Sequence, residues 1–284
     1  MGSLLLPRDA NRRIIVPPAI LPPPPGWRPP APWDRRERAP VRWSPDIYRR
    51  RAPRAPLQCA FAHVQGNTNL FDGTGQTSIA VTLNGVTAGS LIVLRAKFEG
   101  VNSTASATDG TTAFTAGTKF WSANDSVGGQ FLYLLVANSG NKTYTVTLSP
   151  ATDYPQVFVM EFSYLGTASF DAQSGATGSS TTPASGNITT TGTDEVVIGG
   201  YSAVTGNTTS SELINGVAAT EPSYSPEAFN NSVWYRIVAA TFTGQAAATL
   251  ANAPWVCNVI AFKAEAAGGL SIPVVMNQYR QRRA

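Results

Sequence analysis

The sequence has few of the residue types on which enzyme chemistry depends. It contains 1 histidine and 2 cysteines, and charged residues make up 13% of the chain, about half of their usual share. Cys59 and Cys257 are too few for a disulfide scaffold and lack the spacing of a zinc site. No glycine-rich loop is followed by Lys and Ser or Thr. We therefore expect no enzyme and no cofactor.

Long apolar runs are also missing. The longest, Leu91–Leu94 and Phe131–Ala137, fall far short of the roughly 20 residues that a membrane-spanning helix needs. The apolar run Leu4–Leu6 is interrupted at once by Pro7, which does not fit a secretory signal. We therefore expect a chain that is assembled in a cytoplasm and has no membrane partner.

Charge and proline are distributed very unevenly. Residues 1–57 hold 14 of the 21 prolines, and their twelve Arg against four acidic residues give +8. Residues 58–265 hold six basic and thirteen acidic residues, giving −7, and residues 266–284 add +3. Proline excludes helices and central strands. The pattern predicts an extended docking arm over 1–57, a β-domain over 58–265 and a docking tail over 266–284.

Bulky apolar and arginine side chains alternate with proline in the arm, and a similar set occurs in the tail. Trp, Tyr and Arg anchor protein interfaces through burial, stacking and bidentate pairing, and an extended segment can add a strand to a partner's sheet. Arginine also neutralises phosphates, so a nucleic-acid-binding arm stays an alternative to a protein-binding one. The predicted partner-binding residues are Arg12, Arg13, Trp27, Trp33, Arg35, Arg36, Trp43, Tyr48, Arg49, Arg50, Arg51, Ile272, Val274, Tyr279 and Arg280.

Residues 58–265 consist of short β-type runs separated by Gly, Asn, Asp and Ser. In residues 156–164, four bulky apolar side chains share one face, which places Glu161 on a face predicted to be solvated. No helical period appears. Strands are predicted at 59–65, 78–83, 90–98, 112–116, 130–138, 142–148, 156–164, 187–191, 195–203, 217–220, 232–241, 246–250 and 255–263.

The domain also contains an internal duplication, with pseudo-repeats at about 78–166 and 187–265. The pattern predicts an all-β, two-sheet, jelly-roll-like sandwich with one sheet from each half. Its first and last strands, 59–65 and 255–263, should then be neighbours. The matching segments are Phe131–Ala137 with Val233–Ala239 and Thr145–Leu148 with Ala247–Leu250, at a shift of 102, Val159–Phe162 with Val259–Phe262, at a shift of 100, and Ser90–Val93 with Glu195–Ile198.

Four segments carry a resemblance to a known group of domains: Gly89–Val93, the hairpin at 130–148, Glu161–Gly166 and Val259–Lys263. In them the chain resembles the jelly-roll-like β-sandwich domains of tailed-phage virion structural proteins and bacterial surface proteins. The resemblance covers about residues 60–265 and carries no functional residues. It implies a virion protein that decorates or cements a phage capsid, or a related tube or fibre. Its partners would be other virion proteins in a symmetric assembly of many copies.

A carbohydrate-binding attachment module is the second interpretation, because β-sandwiches can present aromatic rings as platforms for sugars. Trp121, in the turn-rich segment 117–129, is the glycan-binding candidate, whereas Trp234 and Trp255 lie in strong strands and are expected in the core. A capsid protein with a basic nucleic-acid-binding arm is the third.

Catalytic alternatives rest on very few residues. His63 is the only base for a nucleophilic triad, and a lone histidine in a strand is expected to be structural. Glycoside hydrolysis needs two facing carboxylates, for which Glu161, Glu99, Asp153 and Asp171 are the candidates. Against this, Glu161 stands where the second half has Ala261, on the face opposite the Phe and Met residues.

Overall fold

The structure is a computed structural model that describes residues 61–204, 210–224 and 230–265. All the regular secondary structure within these residues is β-strand, and the strands pair antiparallel. The all-β fold class is therefore confirmed. The strands are β1 (Ala62–Leu70), β2 (Gln76–Val86), β3 (Leu91–Glu99), β4 (Thr104–Thr108), β5 (Thr115–Ser122), β6 (Val127–Leu134), β7 (Gly140–Ser163), β8 (Thr167–Ser180), β9 (Ile188–Thr189), β10 (Glu195–Ala203), β11 (Ser210–Ile214), β12 (Val217–Ala218), β13 (Asn231–Val238), β14 (Thr243–Gly244), β15 (Ala246–Thr249) and β16 (Ala253–Glu265).

The first half of the domain forms a two-layer sandwich of its own. One layer has the order β1-β7-β3-β6-β5, and the other places β2 and β4 beside the first part of β7. The 24-residue strand β7 belongs to both layers, because Val146 lies opposite Ile79 whereas Val159 lies opposite Leu94. Apolar side chains between the layers make the first core, which includes Ile79, Leu83, Leu94, Phe98, Tyr144, Val146 and Val159.

The second half repeats this plan, with the order β13-β10-β16-β8 in one layer and β12-β11-β15 in the other. Arg95 of β3 lies opposite Phe131 of β6, and Gly200 of β10 lies opposite Val233 of β13. Gly200 follows Arg95 by 105 residues in the sequence, and Val233 follows Phe131 by 102 residues. These are the shifts at which the sequence segments match, so the register confirms the internal duplication. The second core includes Val197, Tyr201, Trp234, Ala246, Cys257 and Val259.

The two halves combine in a different way from the one that the sequence predicts. The sequence predicts one sheet from each half, whereas each half has two layers, and the β3 and β10 sheets pack against each other. Between them lies a central core that includes Leu91, Val93, Phe131, Phe158, Phe162, Ile198, Val233, Ile260 and Phe262. All nine residues of β3 and all nine of β10 are buried as a result. Their continuous apolar runs are typical of strands covered on both faces.

The first and last strands are not sheet partners, so that prediction is wrong. β1 pairs with β7, whereas β16 lies between β10 and β8 in the other half. The duplication explains this, because the last strand of each half, β7 or β16, pairs with strands of its own half. Cys257 of β16 is a buried free thiol, and burial raises its pKa to about 12. Cys59 lies outside the described residues.

Side-chain amides close the gap between β1 and β2. Three alternating residues of β1, Gln65, Asn67 and Asn69, point toward β2 and donate from their amide nitrogens to its backbone carbonyls. Three carbonyl groups along this side of β2 are thereby satisfied without a further strand. The bonds run from Gln65 to Asn84 (3.0 Å), from Asn67 to Thr82 (2.9 Å) and from Asn69 to Ala80 (2.6 Å).

Candidate functional site

The predicted partner-binding residues of the arm and the tail lie outside the described residues. This applies to Arg12 through Arg51 and to Ile272 through Arg280. Their role stays a prediction.

Trp121 lies in β5 and is half-buried. Its ring stacks on Phe98, with ring centroids 6.0 Å apart and an interplanar angle of 14°, and it packs against the first core. This contact gives Trp121 a packing role. Trp234 and Trp255 are buried in the second core, as the sequence predicts.

His63 of β1 is held among aromatic side chains. Its Nε2 is 2.8 Å from the hydroxyl of Tyr224, and its ring lies nearly parallel to the rings of Tyr224 and Tyr235, at interplanar angles of 20° and 18°. Burial lowers the pKa of His63 and so favours the neutral imidazole. These contacts account for His63 as a packed and hydrogen-bonded residue of the strand.

The expectation that Glu161 faces solvent is wrong. Its carboxylate is fully buried, with Oε1 accepting from the backbone N–H of Thr87 at 2.8 Å and Oε2 from the Gln65 amide at 2.6 Å. The side chain is covered because both faces of β7 are buried, one by each core. Two charge-assisted hydrogen bonds make its burial tolerable.

The other carboxylates named from the sequence also have local partners. Glu99 pairs with Lys97, Asp153 accepts from the N–H of Gly75 at 2.9 Å, and Asp171 accepts from the N–H of Thr191 at 2.7 Å. Within the described part of the chain, no three His, Cys, Asp or Glu side chains are grouped to hold a metal ion.

A buried polar centre joins the two halves. Arg95 is fully buried between the β3 and β10 sheets, and the three side chains that accept its hydrogen bonds belong to the second half. Its Nε donates to Asn258 Oδ1 at 3.0 Å, its Nη2 to Ser202 Oγ at 2.9 Å, and its Nη1 to Asn231 Oδ1. Gly200, the equivalent of Arg95 in the duplication, leaves the space that the guanidinium occupies.

A cleft of about 220 Å³ opens at one end of this central layer, where β1, β3 and β7 meet the ends of β10 and β13. Lys97, Glu99 and Gln156 line its inner part, and the rings of Phe71 and Tyr154 line its outer part. Burial lowers the pKa of Lys97 and raises that of Glu99, and the ion pair between them opposes both shifts. The cleft therefore combines a charge-compensated polar floor with an aromatic rim.

Sequence reasoning missed the floor of this cleft, although the duplication carries a signal for it. In the register of the two halves, small or apolar residues of the second half stand where the first half has these polar side chains. The equivalents of Lys97, Glu99 and Gln156 are Ser202, Val204 and Val256. The shared fold therefore does not require a charged or amide side chain at any of these three positions.

Comparisons with other proteins add no family to this description. The described residues include no helix long and apolar enough to cross a membrane. No protein-family model, curated protein or solved structure matches the chain.

Proposed function

We propose that the chain is a non-enzymatic virion structural protein that decorates or cements a phage capsid, or a related tube or fibre. The basic arm binds neighbouring virion proteins, the tail adds a second contact, and the double sandwich is the projecting body. The proposal rests mainly on the contrast in net charge between an acidic body, at −7, and strongly basic ends, at +8 and +3.

The structure of the body strengthens this contrast, because most of its few cations are already occupied. Arg95 is buried, Lys97 pairs with Glu99, and Lys142 lies 3.4 Å from Asp109. Lys263 lies 3.9 Å from Asp171. An acidic surface would therefore be repelled by the body and attracted by the ends. Opposite charge also allows the arm of one copy to bind the body of the next.

The double sandwich suits a passive, projecting role. Its two halves share a central core, and the described carboxylates and His63 named from the sequence have structural partners. Such a body holds its shape without a ligand.

The proposal is tested by co-sedimentation with particles that lack the protein. We expect the full chain to bind and a chain without residues 1–57 to stay in solution while keeping the circular dichroism of β-structure. Combined Arg49→Ala, Arg50→Ala and Arg51→Ala changes should weaken binding and reduce its dependence on salt, because fewer charge contacts are then screened.

A matched control carries Lys119→Ala and Lys142→Ala in the body, and it should bind like the unchanged chain. Equal binding by the full and the arm-deleted chain would refute the proposal. Nucleic acid that copurifies with the full chain and is released steeply by salt would favour the nucleic-acid arm instead.

A further inference from the structure

We propose that the cleft at the end of the central layer binds one neutral sugar ring of a glycan, with Gln156 as its polar anchor and Tyr154 as its stacking surface. The inference concerns the body alone and does not depend on the arm.

The first argument is the state of the Gln156 side chain. It is 1% exposed and lines the cleft, yet neither its amide oxygen nor its amide nitrogen has a hydrogen-bond partner among the described residues. Leaving both atoms of a buried amide unsatisfied is unfavourable. A ligand that offers a donor and an acceptor side by side would satisfy both, and adjacent sugar hydroxyls do so.

The second argument is the aromatic rim. Tyr154 and Phe71 are 45% and 39% exposed, although both belong to well-anchored backbone. The N–H of Tyr154 donates to Gly73 O at 2.8 Å, and that of Phe71 donates to Pro155 O at 2.9 Å. Tyr154 is held at a φ of 45°, a conformation that non-glycine residues rarely adopt. Rings presented in this way can pack against the C–H face of a sugar.

The third argument concerns charge. The Lys97–Glu99 pair compensates itself, and Asp72 adds one acidic group at the rim. Such a lining disfavours anions, whereas the ion pair can donate to and accept from hydroxyl groups. Neutral hexoses therefore fit the cleft better than sialic acids or phosphates.

The duplication removes the simplest structural explanation of the polar residues in the cleft, which is that the fold requires them. Val256 and Val204 stand in the second half where the first has Gln156 and Glu99. Since the fold accommodates apolar residues there, the polar set in the first half is a departure that a ligand accounts for.

The test is saturation-transfer NMR on the full chain with glucose, galactose, mannose and N-acetylglucosamine, followed by titration of the strongest binder. We expect transfer to at least one of these sugars. Gln156→Leu should weaken its binding at least tenfold without lowering the melting temperature, because an apolar isostere replaces an unsatisfied amide. Tyr154→Asn, which tolerates the same φ, should weaken it several-fold.

Trp121→Ala is the matched control, since it removes a larger aromatic ring elsewhere in the same half and should leave the affinity unchanged. Absence of transfer from all four sugars would overturn the proposal. So would unchanged binding by both Gln156→Leu and Tyr154→Asn, or loss of binding in Trp121→Ala alone. Because no particle enters the assay, these outcomes are independent of whether the arm binds a virion.

Discussion

Replacement of Gly200 by alanine tests whether Arg95 and Gly200 form a complementary pair at the centre of the molecule. An added Cβ would lie 2.3 Å from Arg95 Nε and 2.4 Å from Cδ, well inside contact distance. The guanidinium cannot simply move away, because three acceptors in the second half hold it.

Two contributions determine how much stability Gly200→Ala should lose. Overpacking a close-packed site costs about 1–3 kcal/mol, and loss of one charge-assisted hydrogen bond costs about 1.5–3 kcal/mol. Gly200→Ala should therefore lower the free energy of unfolding by about 3–5 kcal/mol. In an Arg95→Ala background the three closest atoms disappear. The same change should then be neutral, or stabilising by up to about 1 kcal/mol, since alanine replaces glycine in a strand.

The assay is urea unfolding of the full chain, followed by tryptophan fluorescence and circular dichroism, for the four members of this double-mutant cycle. Gly199→Ala is the control, because its added Cβ would meet Trp234 at 2.5 Å and should be costly in both backgrounds. An equal cost of Gly200→Ala with and without Arg95 would refute the reasoning.

Three further predictions concern buried groups. Glu161→Ala should destabilise the fold by about 2–4 kcal/mol, because the Thr87 N–H loses its acceptor, while Glu161→Gln should cost less; equal melting temperatures for both variants would contradict this. Burial raises the pKa of Glu195 from 4.5 to about 7, so stability should fall as pH rises between these values. Glu195→Gln should remove that fall, about 1–2 kcal/mol after solvent screening, and an unchanged pH profile of urea midpoints would count against it. Phe158→Ala should lower the midpoint of a single unfolding transition, because its core is shared by both halves; two separate transitions would argue against a shared core.

The sequence predicts the fold best where burial is deepest. The apolar runs of β3 and β10 and the alternation at the end of β7 place these strands within a few residues, and the matching segments reveal the duplication. The predicted strands do not include β4, β8, β11 or β14. The β8 segment, Thr167–Ser180, consists mostly of small and polar residues, and it is extended because β16 pairs with it over 13 residues. Such a strand depends on its partner and has little propensity of its own.

The candidate cleft was harder to predict for a related reason. Lys97 and Gln156 are far apart in sequence and become neighbours only through the pairing of β3 with β7. A polar residue in a strand pattern normally indicates an exposed face, which is how Glu161 was misassigned. Here the layer of β2 and β4 covers the face of β7 that carries Glu161, while the stacking of the two sandwiches covers the opposite face, which carries Phe158 and Phe162. The pattern of a single strand carries no information about either layer.

The row of Gln65, Asn67 and Asn69 amides affects how the protein resists aggregation at high concentration. An open strand edge is a template onto which another copy can add, and β-rich proteins that are crowded together are prone to polymerise through such edges. Here the carbonyls of β2 are already bound by amides from the same chain. An incoming strand would have to displace three intramolecular bonds before gaining its own. The arrangement therefore disfavours the growth of fibrils through this edge whenever copies of the chain are crowded together.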